Sequence, residues 1–348
     1  MMVLSCSRMQ LRVLSPTGNR PRYTSVLLSL CLSALLISVS LTTTLVAANA
    51  PLRTFWVARN SLESPDGVRR AIAAAAVGAF DTIMVPVALV GDSLQPFDGA
   101  REMIDEARAR GLRVHAWIEV TLVAANGELP ASRDHVLYQH PEWLMVPRDL
   151  AADILKVDVR NPAYLGRLMR WARANSPRVD GLYLSPLAPD AASYLVKAVT
   201  EAARRYSVDG VFLDAVRFPG ADFDYSRHAM EIFRAETRPQ LSANERSRLD
   251  EVEAIDPFGY AEEFPDQWRA FRQARLTSLI SRLRKALTEV NATFVVSAGV
   301  ATDARNALAE SFQDWTTWME TGLVDGVGSR SGTSGTIVFT PDAFAAPR

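Results

Sequence analysis

A short apolar run that ends in an acid is the part of this chain best suited to chemistry. Val211, Phe212 and Leu213 lead directly into Asp214, and Arg217 follows at the start of a Phe-Pro turn. In a parallel α/β protein a buried strand is a continuous apolar run, and functional groups project beyond the carboxyl ends of the strands. Asp214 is therefore the first candidate for a catalytic carboxylate. Helix capping, or pairing with Arg217, is the structural alternative.

Hydrolysis by acid and base catalysis needs a second carboxyl group. Glu119 lies two residues past Trp117, at the end of another predicted strand, and we expect it to face Asp214 across the mouth of a barrel. A solvated loop acid is the alternative for Glu119. A cation in contact with an acid favours its ionised form. If Arg217 contacts Asp214, Asp214 should act as base or nucleophile and Glu119 as the proton donor.

Other polar and aromatic side chains near predicted strand ends, or in the long loop after the third strand, are candidates for binding a substrate. They could form hydrogen bonds or stack on it, although burial in the core is as good an explanation for each aromatic residue and for the histidine. Asp92, beyond the second strand, is also a third candidate acid. The substrate-binding set is Arg217, His115, Trp117, Trp143, Asp92 and Tyr183.

Short β-rich runs alternate with amphipathic helical runs, which predicts repeated βα units and an α/β fold, a (β/α)8 TIM-type barrel. Ser64-Pro65 and Asp98 have the character of helix starts, and 268–289 is the strongest helix. The charged stretch 236–266 is predicted to be a mobile insertion. The predicted strands are 55–58, 82–87, 112–117, 181–184, 210–213, 293–297 and 323–327.

The end of the barrel does not follow the βα pattern. Residues 328–335 have the composition of a flexible linker, and only 336–340 resembles a strand afterwards. The barrel domain is therefore assigned to 51–328 and an atypical tail to 329–348. Three explanations stay open: an open barrel, a gap filled by another segment, or a sequence that is truncated or frame-shifted near Gly328.

The first fifty residues have the pattern of a secretory signal peptide. Four arginines precede an apolar run from Val26 to Val46, and Ala48-Asn49-Ala50 is a small-residue cleavage motif. We expect cleavage after Ala50 and a secreted, periplasmic or cell-envelope protein. A retained anchor, the only membrane contact predicted, is the alternative. Cleavage would leave no cysteine and a formal charge of about −5 instead of −1, without the basic clusters that nucleic-acid binding requires.

Several motifs, in order and spacing, resemble the glycosyl hydrolase-like 10 family from about Arg53 to Gly326. They are 111–117 (GLRVHAW), 140–144 (HPEWL), 183–186 (YLSP), 206–219 (YSVDGVFLDAVRFP) and the Asp-Trp and Val-Asp-Gly motifs at 314–315 and 324–326. The resemblance implies a TIM-type barrel and hydrolysis of glycosidic bonds in cell-wall or extracellular polysaccharide. Relatives often carry a second acid at the position of Ala215.

These observations together predict an exported glycoside hydrolase that acts on a polysaccharide, with peptidoglycan glycan strands as a candidate substrate. Asp214 and Glu119 are the predicted catalytic pair, and no metal or other cofactor is expected. One alternative is a barrel that binds sugar without cleaving it, which Ala215 and the unusual C-terminus favour. The other is a zinc-dependent deacetylase or amidase built from His135, His140 and Asp214.

Overall fold

The computed structural model describes residues 53–87, 98–126, 129–331 and 334–339. The strands are β1 (Arg53–Trp56), β2 (Thr82–Pro86), β3 (Arg113–Glu119), β4 (Leu122–Ala125), β5 (Gly181–Tyr183), β6 (Gly210–Asp214), β7 (Val295–Gly299), β8 (Gly326–Ser331) and β9 (Ser334–Phe339).

The α-helices of the described residues surround these strands. They are α1 (Pro65–Val77), α2 (Gly99–Ala109), α3 (Val136–Gln139), α4 (Arg148–Ile154), α5 (Pro162–Ala174), α6 (Pro189–Arg205), α7 (Arg227–Thr237), α8 (Ala243–Glu253), α9 (Gly259–Glu263), α10 (Pro265–Val290), α11 (Ala304–Ser311) and α12 (Trp315–Glu320). Short 3-10 turns cover Arg59–Leu62, Pro141–Trp143 and Arg238–Gln240.

Within the described ranges, seven strands close a barrel in the order β1-β2-β3-β6-β7-β8-β9. Neighbouring strands from β1 to β8 are parallel, whereas β9 is antiparallel to both β8 and β1. The prediction of a TIM-type barrel with an atypical C-terminal unit is confirmed. In such a barrel the carboxyl ends of the parallel strands form the mouth that carries functional groups.

Local sequence signals account for the helix boundaries that were predicted. The Ser64 side chain accepts a hydrogen bond from the Gly67 backbone N–H at 3.2 Å, and Pro65 opens α1. The Asp98 side chain accepts from the Arg101 backbone N–H at 3.1 Å and caps α2. Each side chain satisfies a backbone donor that the first helical turn leaves without an intrahelical partner.

Large side chains fill the interior of the barrel. Trp56, Met84, Trp117, Phe212 and Ile337 form one buried cluster. Successive side chains of a strand point to opposite faces, so the residues two positions beyond Trp117 and Phe212 also point inward. Those residues are the two candidate acids, and each is the last residue of its strand. The strand pattern therefore directs both acids into the mouth.

The segment predicted as the fourth barrel strand lies outside the barrel, so that prediction was wrong. β5 pairs antiparallel with β4, and β3 pairs directly with β6. β4 begins three residues after β3 ends and offers a nearby edge with which β5 can pair. A Cβ at Gly181 would lie 1.9 Å from the Ala124 carbonyl oxygen, so a larger residue would block this contact.

The prediction of an atypical tail after Gly328 is also corrected, because residues 329–331 and 334–339 belong to the barrel. β8 and β9 form a hairpin in which Ser331 pairs with Ser334, and β9 continues to pair with β1. The tail itself therefore supplies the closing strand, and the barrel formed by the described residues is not open. An antiparallel partner needs only a short turn, whereas a parallel strand requires a long crossover.

The stretch predicted as a mobile insertion, 236–266, contains α8 and α9. Asp250 in α8 accepts from the Arg238 guanidinium at 2.7 Å and from the Tyr260 hydroxyl at 2.9 Å. These contacts lower the pKa of Asp250, with the Arg238 hydrogen bond as the main cause. The segment thus has regular structure, and its mobility stays a prediction.

Candidate functional site

The two candidate acids are neighbours at the mouth of the barrel. Glu119 at the end of β3 is in register with Asp214 at the end of β6. Neighbouring strands lie about 4.8 Å apart, and in-register residues of parallel strands point to the same face. The sequence predicted that Glu119 would face Asp214 across the mouth. The structure instead places it beside Asp214, because β5 does not separate β3 from β6.

The Asp214 carboxylate has a defined orientation. Its Oδ2 accepts a hydrogen bond from the Trp117 indole Nε1 at 2.7 Å, and its Oδ1 accepts from the Ala215 backbone N–H at 2.8 Å. A Cβ at Gly299, at the end of β7, would lie 2.7 Å from Oδ1. The glycine therefore leaves the space that the carboxylate occupies. Two N–H donors hold the group, and no cation of the described residues forms an ion pair with it.

The backbone directly after Asp214 makes an unusual turn. Ala215 has a φ of 48°, a left-handed conformation that is uncommon outside glycine, asparagine and aspartate. The buried Thr121 hydroxyl contacts the carbonyl oxygens of Ala215 and Arg217, the latter at 3.1 Å. The Val120 N–H donates to the Asp214 carbonyl at 2.8 Å. The segment after Glu119 thus holds the turn that aims the Ala215 N–H at the Asp214 carboxylate.

Glu119 contacts a cation that the sequence reading did not consider. The Arg59 guanidinium donates to Glu119 Oε2 at 2.8 Å, and its Cζ lies 5.7 Å from the centre of the Trp117 ring. Half of the Arg59 side chain and a third of the Glu119 side chain are exposed. Because exposed ion pairs contribute only about 0–1 kcal/mol, a ligand that enters the mouth can separate this pair at little cost.

Trp117 does not have the position of a stacking platform. Its side chain is buried, and it meets Trp56 edge to face with ring centres 5.3 Å apart. The Trp117 ring face is therefore not accessible to a ligand in the mouth. A direct role of Trp117 in substrate binding is not supported. Its indole N–H instead orients Asp214, a role that the sequence reading did not foresee.

Replacement of Trp117 by Phe tests this positioning role. The change keeps an aromatic ring in the barrel but removes the N–H that bonds Asp214. Loss of a hydrogen bond to a charged group costs about 1.5–3 kcal/mol, so kcat of a reaction that depends on Asp214 should fall about 10- to 100-fold with little change in KM. Trp268→Phe is the matched control, because the buried Trp268 indole N–H has no hydrogen-bond partner within the described chain. Equal kcat losses in both variants would contradict the proposed role.

Arg217 does not contact Asp214. The prediction that such a contact would make Asp214 the base or nucleophile and Glu119 the proton donor therefore loses its basis. Its guanidinium pairs with Asp180 and lies 3.4 Å from the Tyr183 hydroxyl. The Tyr183 hydroxyl also donates to Asp180 at 2.9 Å, and burial raises the pKa of Tyr183. Tyr183 is almost fully buried. Both residues therefore belong to a cluster with Asp180 that supports the loops beside the mouth.

His115 lies inside the barrel, where a substrate in the mouth cannot reach it. The residue is fully buried, and its ring packs against Gly210, where a Cβ would lie 2.8 Å from Nε2. Burial lowers the pKa of His115 to about 4, so the ring is neutral near pH 7. His115 is also four residues before the end of β3, about 13 Å deeper than Glu119. The alternative of a core histidine fits this placement.

The two remaining candidates are Trp143, whose ring contacts other aromatic side chains, and Asp92. Trp143 stacks on His140 with ring centres 3.7 Å apart, and its ring centre lies 6.0 Å from that of Tyr194. Its face toward His140 is therefore occupied. Asp92 lies outside the described residues. The roles of both residues in substrate binding stay predictions.

Sequence reasoning missed Arg59, Asp180 and Thr121. Arg59 lies three residues past the end of β1, a strand-end position of the kind that identified Asp214, so the same signal could have found it. Thr121 follows the end of β3 by two residues. Its role depends on the pairing of β3 with β6, which adjacent residues do not encode.

The described residues contain no group of three or more histidine, cysteine or acidic side chains arranged to hold a metal ion. The zinc site considered from His135, His140 and Asp214 is therefore not assembled: the His135 ring accepts from the Leu137 N–H, and His140 contacts Glu142.

The helices were also compared with the requirements for crossing a membrane. None of the helices within the described ranges combines the length and apolar character that a bilayer crossing requires.

Comparison with known families agrees with the motifs found in the sequence. The model of the glycosyl hydrolase-like 10 family matches residues 90–330, which include both candidate acids. The chain belongs to the glycosyl hydrolase-like 10 family. The resemblance stated from the motifs is thereby confirmed.

Curated proteins with similar sequences are also named as glycosyl hydrolases. Proteins named glycosyl hydrolase DigH from Escherichia coli K12 and Shigella flexneri are each 26% identical to the chain over 243 residues. The match covers 66% of this chain and 45% of each relative, so the chain spans about half the length of those proteins.

Solved structures with detectable likeness include two sugar-cleaving proteins. The PgaB glycoside hydrolase domain from Bordetella bronchiseptica has a TM-score of 0.49 and 14% identity, with 80% of this chain and 74% of that chain covered. The β-galactosidase from Marinomonas ef1 has a TM-score of 0.48 and 10% identity, with 80% and 40% covered.

Proposed function

We propose that the chain is an exported glycoside hydrolase that cleaves a polysaccharide with Glu119 and Asp214. The observation that carries this proposal is the register of β3 and β6, which places the two acids side by side at the mouth. Family membership supports the same class of reaction. The signal-peptide pattern of residues 1–50 supports export to the periplasm, cell envelope or medium, and peptidoglycan glycan strands are the candidate substrate.

The spacing of the strands that carry the two acids suits one of the two established mechanisms of glycoside hydrolysis. Retaining enzymes hold their carboxyl groups about 5–5.5 Å apart, whereas inverting enzymes hold them about 6.5–9.5 Å apart to admit a water molecule. Side chains that extend in parallel from strands about 4.8 Å apart fall near the shorter range. We therefore assign a retaining mechanism with a covalent glycosyl-enzyme intermediate.

The contacts of each acid distinguish their roles. Asp214 is held by N–H donors on both oxygens, so its position is fixed as a nucleophile requires. Glu119 has the longer side chain and a partly exposed position, which suits proton transfer to and from the glycosidic oxygen and water. The Arg59 guanidinium favours the ionised form of Glu119, so the substrate must separate this pair before Glu119 can carry and donate a proton. The assignment of roles made from the sequence is kept, but on these contacts instead of on Arg217.

Reducing-end release from purified peptidoglycan, chitin and cellulose tests the proposal. We expect the purified chain to generate reducing ends from at least one of these polysaccharides, at a rate that a metal chelator does not change. Binding to a polysaccharide without any release of reducing ends would favour the non-catalytic sugar-binding barrel. Release of acetate instead, together with inhibition by the chelator, would favour a zinc-dependent deacetylase.

A further inference from the structure

A groove with a volume of about 1020 Å³ is lined by residues of the chain between β4 and β5 and by the start of α7. Its walls are α3, the end of α4, the start of α5 and the start of α7. None of Arg59, Trp117, Glu119 and Asp214 lines it. The groove is therefore separate from the acid pair, and a volume of this size suits a ligand of one or two sugar units.

The floor of the groove is apolar. Leu137 and Ile154 line it and are fully buried, and Val157, Val159 and Leu165 are half-buried beside them. Apolar patches inside a polar rim are typical of ligand pockets, which use a few polar groups to fix orientation. Such a floor accepts the C–H face of a sugar ring or a methyl substituent.

Three arginines at the rim form no ion pair within the residues that the structure describes. Within the described part of the chain, Arg133, Arg160 and Arg227 have no carboxylate oxygen within 4.0 Å. Arg133 lies over the Tyr138 ring at 4.5 Å, and Arg227 donates to the Leu155 carbonyl at 2.8 Å. Each guanidinium has five N–H donors, so donors stay available for a ligand.

The two acids of the lining already have partners. Glu142 Oε1 lies 3.0 Å from His140 Nδ1, and Asp158 Oδ1 accepts from the Arg160 backbone N–H at 2.8 Å. Helices α5 and α7 also begin at the groove, and helix N-termini add positive potential. The rim is therefore complementary to an anion, and the floor is complementary to an apolar group.

We infer that this groove binds a carboxylate-bearing sugar of the polysaccharide substrate. In peptidoglycan that sugar is N-acetylmuramic acid, whose lactyl group combines a carboxylate with a methyl group. The guanidinium groups would bind the carboxylate, the Arg fork being matched to its planar geometry, while the floor contacts the methyl group. This inference rests on the proposed function, because the groove would bind one sugar of the same polysaccharide that the acid pair cleaves.

Binding measurements with two matched disaccharides test the inference. The probes are N-acetylglucosaminyl-N-acetylmuramic acid and chitobiose, which share the sugar backbone but differ in the lactyl group. Titration calorimetry on the full chain should show tighter binding of the muramyl disaccharide. Arg160→Gln should weaken that binding by at least about fivefold, and the double change Arg133→Gln with Arg160→Gln by more. Neither change should alter chitobiose binding.

Arg167→Gln is the control, because Arg167 is an exposed residue of α5 that does not line the groove. Equal affinity for the two disaccharides, or an unchanged affinity in the Arg160→Gln and double variants, would overturn the inference. Hydrolysis measured in parallel separates the two proposals. Hydrolysis without the Arg160 effect removes only the groove assignment, whereas the Arg160 effect without hydrolysis removes only the catalytic proposal.

Discussion

Asp214→Asn should lower the rate of reducing-end release by at least about 10³-fold, the largest effect that we expect from any single change. The amide is similar in size to the carboxylate but is a far poorer nucleophile or base. It also has only one acceptor oxygen, whereas Trp117 and Ala215 both donate to the carboxylate. The loss should fall on kcat, and the melting temperature should show that the variant is folded.

Asp190→Asn is the matched control for this substitution. Asp190 is an exposed acid in the first turn of α6, so its loss should leave the rate within about twofold of the wild type. Substrate binding should persist in Asp214→Asn, which separates a catalytic role from a role in folding. Hydrolysis by Asp214→Asn at the wild-type rate would remove Asp214 from the mechanism.

Glu119→Gln should slow cleavage of the polysaccharide about 10²- to 10³-fold, because a general acid typically contributes a factor of this size. The rate of the first step, in which the glycosyl-enzyme forms and the leaving group departs, should fall much less with an aryl glycoside whose leaving group needs no proton. Asp214→Asn should stay inactive on both substrates. A comparison of pre-steady-state release of the aryl group by the two variants therefore distinguishes the proton donor from the nucleophile.

Glu201→Gln on α6 is the control for the Glu119 variant, since Glu201 forms an ion pair with Lys197 on its own helix and with no other described residue. It should cleave both substrates at the wild-type rate. If Glu119→Gln cleaves the polysaccharide normally, the second carboxyl group of the mechanism is another residue. If it loses both activities equally, its role is not proton donation to the leaving group.

Signals carried by adjacent residues were sufficient for much of the fold. The apolar run before Asp214 predicted β6, and the Ser64 and Asp98 caps predicted the starts of α1 and α2. The leucine spacing of 268–289 predicted most of α10. Each of these features depends on interactions within one strand or one helical turn, which a sequence displays directly.

Pairings between distant segments were not predictable in the same way. β5 has the composition of a barrel strand, yet it pairs with β4, and this choice makes Glu119 the neighbour of Asp214. The tail has the composition of a linker, but β9 closes the barrel because it can pair with both β8 and β1. Composition describes a segment alone, whereas pairing depends on which edges the rest of the chain leaves available.

The site shows the same division. The positions of Asp214 and Glu119 at strand ends were predicted from the sequence. The predicted partner of Arg217 was wrong, and the contact of Arg59 with Glu119 was not predicted. Arg217 is three residues from Asp214 and contacts Asp180, while Arg59 reaches Glu119 from a distant part of the sequence. Nearness in sequence is a poor guide here because the turn at Ala215 changes the direction of the chain.

The anomeric configuration of the first product tests most directly whether two neighbouring carboxylates act as a pair. Proton NMR during cleavage of an oligosaccharide from the preferred polysaccharide resolves the newly formed anomer before mutarotation. The register of Glu119 with Asp214 predicts that this anomer has the configuration of the bond that was cleaved. Initial formation of the opposite anomer would contradict the account, because inversion requires a wider separation with a water molecule between the acids.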